Sequence, residues 1–144
     1  EVKISELTAK GSNLETSDLL IISKSDGSGG YDSKYITGAE LTNVTIDNKT
    51  ASYTLVLADA NKLIEVNNGS ANTLGVPLNS TDAFPIGTQV LIAQQGAGQT
   101  TITPVSGVTL RSSGGKLKIA AQYGIATLIK RATDEWYVAG DLTT

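Results

Sequence analysis

Apolar residues recur at every second position in short segments of this chain, and this alternation limits the fold more than any other feature. Tyr53, Leu55 and Leu57, for example, are separated by single residues. Successive side chains of a strand point to opposite faces of a sheet, so this spacing indicates strands with one buried face. Gly, Asn, Asp, Ser and Pro separate the segments, and none shows the 3.6-residue period of an amphipathic helix. The sequence therefore predicts an all-β chain.

From Val44 onward the strand signals become regular, which predicts a domain over residues 44–144. About eight short antiparallel strands at this spacing favour a β-sandwich or a jelly-roll-like knob. Asn67-Asn68-Gly69 predicts a hairpin turn, and residues 125–131 are expected to pair with residues 136–142. No block repeats at a fixed period, which argues against a solenoid. The predicted core consists of Tyr53, Leu55, Leu57, Leu74, Val76, Val90, Ile92, Leu117, Ile119 and Leu128.

Residues 1–43 differ in composition and are predicted to form a separate N-terminal arm. The apolar run at residues 19–22 and the return segment at residues 31–37 predict a single hairpin. A segment with one hairpin and few apolar residues cannot bury a core of its own. We therefore expect it to pack on another surface, either that of the domain formed by residues 44–144 or that of a partner. The expected attachment residues are Ile4, Leu7, Leu19, Leu20, Ile21 and Ile22.

The chain contains neither histidine nor cysteine. This removes Ser-His-Asp and Cys-His catalysis, zinc sites with His or Cys ligands, iron–sulfur clusters and disulfides. No catalytic residue, metal or cofactor is therefore expected. The net charge of −3 and the few aromatic residues argue against nucleic-acid binding. No apolar run approaches the roughly 20 residues of a membrane helix, so membrane insertion is not expected either.

Three features suggest contact sites. The segment Val90, Leu91, Ile92 and Ala93 is apolar on both faces, so a subunit interface is expected to cover one of them. Trp136 could stack on a sugar ring, although burial in the core is the favoured interpretation. The third feature is a basic group near the C-terminal strands, where solvent-facing strand positions are favoured over contact with an acidic partner. It consists of Lys116, Lys118, Lys130 and Arg131.

Several motifs resemble a β-rich module of bacteriophage tail-fibre, head-fibre and capsid-decoration proteins. Among them are Ala60-Asn61-Lys62-Leu63-Ile64-Glu65-Val66, Leu74-Gly75-Val76-Pro77, Phe84-Pro85-Ile86-Gly87-Thr88-Gln89-Val90 and Trp136-Tyr137-Val138-Ala139-Gly140-Asp141-Leu142. Gly75 departs from the pattern, because a β-forming residue such as Thr is expected there. Ile4-Ser5-Glu6-Leu7 and Tyr35-Ile36-Thr37-Gly38-Ala39-Glu40-Leu41 resemble lead-in segments of phage structural proteins.

This resemblance implies a non-enzymatic protein of the virion surface, made in the bacterial host cytoplasm and often a homotrimer. The small size favours capsid decoration by a cement or head-fibre protein. Such a protein would attach to the shell through its N-terminal segment and project the β-knob. The alternative is a tail-fibre tip that recognises a host surface glycan, and a carbohydrate-active enzyme is a third, less favoured class.

Overall fold

The computed structural model describes the backbone of residues 19–25 and 31–37 and all atoms of residues 43–144. The chain divides into two compact units, residues 1–43 and residues 44–144. Short 3₁₀ turns occur at Leu57–Asp59 and Ser113–Gly115. The strands are β1 (Leu19–Ser25), β2 (Tyr31–Thr37), β3 (Ile46–Lys49), β4 (Tyr53–Thr54), β5 (Leu63–Val66), β6 (Asn72–Val76), β7 (Gln89–Gln94), β8 (Thr100–Pro104), β9 (Thr109–Ser112), β10 (Lys118–Ile119), β11 (Ile125–Ala132), β12 (Glu135–Gly140) and β13 (Leu142–Thr143).

In the first unit, β1 and β2 pair antiparallel, with Leu19 opposite Thr37 and Ser25 opposite Tyr31. The hairpin predicted from the apolar run and its return segment is confirmed. Of the expected attachment residues, Leu19, Leu20, Ile21 and Ile22 lie on β1, of which only the backbone is described. Ile4 and Leu7 lie outside the described residues.

The second unit consists of two mixed sheets, which confirms the predicted all-β class. One sheet has the strand order β3-β5-β7-β11-β12-β9, and the other has the order β13-β10-β8-β6-β4. From β3 to β8 the chain alternates between the two sheets. Within each sheet these strands are parallel neighbours. Each of the pairs β3–β4, β5–β6 and β7–β8 is one coil of the chain, with one strand in either sheet. The three coils stack on one another.

This stacking corrects three predictions. The unit has eleven strands rather than eight, and five of its strand pairings are parallel. The prediction that the chain does not form a solenoid was wrong for these three coils, whose unequal lengths leave no fixed period in the sequence. Aligned positions lie 17 residues apart between Ile46 and Leu63 but 28 apart between Leu63 and Leu91. Asn67-Asn68-Gly69 is not a hairpin turn, since β5 and β6 belong to different sheets.

The buried apolar side chains of both sheets form one cluster. Ile64 and Ile92 are side by side on β5 and β7, and Leu74 and Ile102 are side by side on β6 and β8. Most of the predicted core is confirmed, while Tyr53 and Leu117 are partly buried against it. Leu57 is the exception: it is 46% exposed, because the alternation ends where the 3₁₀ turn begins.

The chain passes from one sheet to the other through two corners, residues 67–71 and residues 95–99. The backbones of these two corners are in direct contact. The N–H of Gly98 donates to the carbonyl of Asn68 (2.9 Å), and the N–H of Gly96 donates to the carbonyl of Val66 (3.0 Å). A Cβ atom at Gly98 would lie under 3.0 Å from the backbone of Ser70, where atoms cannot give way cheaply. These positions therefore require glycine for close approach rather than for turn geometry.

Gly75, where a Thr was expected, is also explained by close approach. It pairs with Thr54 on the neighbouring strand. A Cβ atom at this position would lie 2.7 Å from the Thr54 Oγ1 atom. Strand β6 forms nonetheless, because its inward residues Leu74 and Val76 are fully buried.

We predict that Gly98→Ala lowers the free energy of unfolding by about 2 kcal/mol or more, because the corners must separate. Gly69→Ala is the matched control: it lies in the facing corner, with no atom within 4 Å of the added Cβ. The control should change stability by about 0.5 kcal/mol or less. Urea denaturation of both variants measures the difference. Equal losses of stability in the two variants would contradict the close contact between the corners.

Candidate functional site

The outward face of the six-stranded sheet carries a group of accessible apolar side chains. We call this group the apolar face and define it as Ile46, Leu63, Leu91, Ile125, Ile129 and Tyr137. Ile46, Leu63 and Leu91 form one row across β3, β5 and β7. Ile46 is 59% exposed, Ile125 51% and Tyr137 47%. Except for Ile46, whose inward neighbour on the edge strand β3 is Asp47, each of these residues is next to a residue of the core, so period-two alternation places it outside.

The outward face of the five-stranded sheet is different in character. Thr73 pairs with Thr101, and Gly75 pairs with both Thr54 and Thr103. The hydroxyl-bearing side chains on this face are exposed or half-buried. The two outward surfaces of the unit thus have opposite chemistry, one threonine-rich and one apolar. Burial of the apolar face against another molecule would release more free energy per unit area than burial of the threonine-rich face.

Charged side chains lie around the apolar face. Glu135 accepts hydrogen bonds from Arg111 (2.6 Å) and Arg131. The hydrogen bond from Arg111 holds the pKa of Glu135 below its usual value. The Arg131 guanidinium also lies 5.6 Å from the centre of the Tyr137 ring. At the opposite edge of the sheet, Asp47 forms an ion pair with Lys49 (3.1 Å), but alternation places both on the other side of β3 from Ile46.

The expected interface segment divides between the two sides of the sheet. Val90 and Ile92 are fully buried in the domain's own core, so their assignment to a subunit interface was wrong. Leu91 and Ala93 are half-buried on the opposite side, and Leu91 belongs to the apolar face. The strand is apolar on both sides, but the second sheet of the same domain already covers one of them.

Trp136 is 1% exposed and packs against Phe84 with an edge-to-face geometry, at 5.3 Å between ring centres. The suggested stacking on a sugar ring was therefore wrong, and burial in the core is confirmed. The following residue, Tyr137, faces outward and lines a concavity together with Arg111, Ile129 and Leu142. Sequence reasoning missed Tyr137, although alternation from a buried Trp136 could have indicated it.

Lys130 was predicted to face solvent and is instead 2% exposed. It lies on the inward face of β11, two residues after the buried Leu128. Its Nζ atom donates to the Oδ1 atom of Asn79 and lies 5.7 Å from the centre of the Trp136 ring. Burial lowers the pKa of Lys130, which the charge of Asp134 partly opposes. Lys116 and Arg131 are exposed, as predicted.

Within the described part of the chain, no cluster of acidic side chains is arranged to hold a metal ion. Among the described residues, no helix has the length and hydropathy that a membrane span requires. No protein-family model matches this sequence, and no curated protein matches it either. The apolar face and the cluster around Lys130 are therefore interpreted from their own geometry.

We predict that Ile92→Ala lowers the free energy of unfolding by about 2–5 kcal/mol, because it leaves a cavity in the core. Leu91→Ala, at the neighbouring position on the opposite face, should cost about 1 kcal/mol or less in the isolated subunit. Urea denaturation at low protein concentration measures both changes. A loss below about 1 kcal/mol for Ile92→Ala would place this side chain outside the core.

Proposed function

We propose that this chain is a non-enzymatic structural protein of the bacteriophage virion surface, a capsid decoration protein of the cement or head-fibre type. The observation that carries the proposal is the apolar face. It is broad and laid across a sheet, which suits contact with a protein surface better than enclosure of a small substrate. The resemblance of the sequence motifs to phage fibre and decoration proteins supplies the biological setting.

In this proposal residues 44–144 are the exposed knob, a sandwich-type domain with its two sheets on either side of one core. The shared cluster of buried side chains from both sheets supports this arrangement. Eleven short strands joined by tight corners give a rigid unit suited to a particle surface. The knob would face outward, and its function would be contact rather than catalysis.

Residues 1–43 are proposed to attach the knob to the capsid shell. The β1–β2 hairpin supports this role, because an isolated two-stranded hairpin is at best marginally stable in water. The run Leu19, Leu20, Ile21 and Ile22 on β1 would supply the apolar contacts. Packing on a capsid surface would compensate for the core that this segment cannot build by itself.

The apolar face is proposed to bind further copies of the same chain, in a homotrimer. Leu91 remains in this proposed interface, whereas Val90 and Ile92 do not, because they are already buried. The charged residues around the face would form its polar rim, as in protein interfaces generally. Self-association would leave the threonine-rich sheet exposed on the particle.

We predict a homotrimer in solution, measured by light scattering coupled to size exclusion. The double variant Ile125→Ser/Ile129→Ser should shift the mass to that of the monomer, since both side chains lie on the apolar face. Ile86→Ser is the matched control, because Ile86 is 70% exposed in a loop outside both sheets. A clean monomer of the unaltered protein at micromolar concentration would contradict self-association.

We predict that attachment to the particle requires residues 1–43. Stripped particles would be incubated with the full chain or with residues 44–144, and decoration would be counted by electron microscopy. The full chain should bind heads, and the truncated chain should lose that binding. Equal decoration by both would show that residues 1–43 are not the anchor.

The second candidate is a tail-fibre tip that binds host surface glycan. One observation favours it: Tyr137 is accessible in a concavity with Arg111 beside it, and aromatic rings are common sugar contacts. The full chain would then bind isolated host envelope glycan, and Tyr137→Ala would abolish that binding. Binding to heads that is unaffected by Tyr137→Ala would favour capsid decoration instead.

A further inference from the structure

Lys130 is a buried amine that contacts no opposite charge among residues 43–144. The residue is 2% exposed. Among residues 43–144, the ion pairs within 4.0 Å involve Lys49, Lys62, Arg111 and Arg131, and none involves Lys130. A buried ammonium group that lacks a paired carboxylate is costly. Its neutral amine would be cheaper to bury, and that form is a nucleophile.

The group that meets this amine is a carboxamide. The Nζ atom of Lys130 lies 2.5 Å from the Oδ1 atom of Asn79. Since a C=O bond is about 1.2 Å long, the amide carbon Cγ lies no more than about 3.7 Å from that nitrogen. This separation approaches the distance of a near-attack arrangement. Asn79 is held at the start of a turn in which the carbonyl of Leu78 accepts from Thr81 and Asp82.

An acid lies beside the same pair. The Oδ1 atom of Asp134 accepts the backbone N–H of Asn79 at 2.7 Å. Its charge also acts on the Lys130 amine. Trp136 is the residue paired with Lys130 on the neighbouring strand β12, and its ring limits access of water to the amine. An amine, a carboxamide, an acid and an apolar wall thus meet at one place, and none of them takes part in the proposed virion contacts.

We propose that Lys130 and Asn79 join through an intramolecular isopeptide bond, formed by the folded protein itself. The neutral Nζ attacks Cγ of Asn79, and a new C–N bond forms. The bond from Cγ to Nδ2 then breaks, and Asp134 transfers the surplus proton from Nζ to the departing nitrogen, which leaves as ammonia. The step involves no oxidation or reduction. It replaces a buried ionisable amine with a neutral amide.

The bond would close a loop of the chain between residues 79 and 130. It would connect the segment that follows β6 to strand β11. Covalent closure of a long loop reduces the conformational freedom of the unfolded chain. A domain exposed on a particle surface would thereby resist unfolding and proteolysis. This inference does not depend on the virion assignment, because it follows from the geometry inside residues 44–144.

Intact-mass spectrometry of the full chain under denaturing conditions tests the proposal. The expected mass is lower than the sequence mass by about 17 Da, the mass of ammonia. After trypsin digestion, the peptide of residues 63–111 should be joined to that of residues 119–131, with no cleavage after Lys130. A folded protein of full sequence mass that trypsin cleaves after Lys130 would overturn the proposal.

Variants separate this reaction from cyclisation of Asn79 on its own backbone, which also releases ammonia. Lys130→Met and Asn79→Ala should both restore the sequence mass. Asn79→Ala, at a half-buried turn position, shows only that the ammonia comes from Asn79, so if Lys130→Met fails to fold, the joined tryptic peptides distinguish the two reactions. Asn79→Asp should lose about 18 Da, as water, and reach the same final mass as the unaltered protein. Persistent loss of ammonia in folded Lys130→Met would overturn the isopeptide bond.

A separate matched variant tests the proton transfer. Asp134→Asn keeps an oxygen that can accept the N–H of Asn79 but cannot carry a proton between the two nitrogens. The variant should fold, and its cross-linked fraction should fall to less than a tenth of that in the unaltered protein. Full cross-linking in Asp134→Asn would overturn the assignment of proton transfer to Asp134.

Discussion

The backbone contact between the corners at residues 67–71 and 95–99 is the constraint on which the second unit depends. Here the chain passes from one sheet to the other twice, and the two passages hydrogen-bond to each other from Gly98 to Asn68 and from Asn72 to Gln99. This contact fixes the separation of the coils, and hence the parallel register of β5 with β7 and of β6 with β8. The inward side chains then meet in one core.

Alternation in the sequence was sufficient to predict the β class and most of the buried side chains. It could not predict which strands pair, because parallel and antiparallel neighbours have the same period of two. The unequal coil lengths removed the fixed repeat that would have indicated stacking. Asn67-Asn68-Gly69 was misleading for a related reason: the same residues suit a hairpin and a corner between sheets.

The two candidate sites were predictable to different degrees. Once Val90 and Ile92 are placed in the core, alternation puts Leu91 outside, and the same rule places Tyr137 outside next to the buried Trp136. Lys130 lies on the same face of β11 as the buried Leu128, so alternation indicates burial. It was nevertheless predicted to face solvent, because charged side chains are rarely buried. The contact with Asn79 spans 51 residues, and no local signal predicts it.

We propose that this chain is a component of the virion surface. Electron microscopy of intact virions labelled with a gold-conjugated antibody against residues 44–144 tests it most directly. We expect label distributed over the head, with none on particles from a phage lacking the coding sequence. Virions without label, together with antigen detected only in the lysate of infected cells, would contradict it.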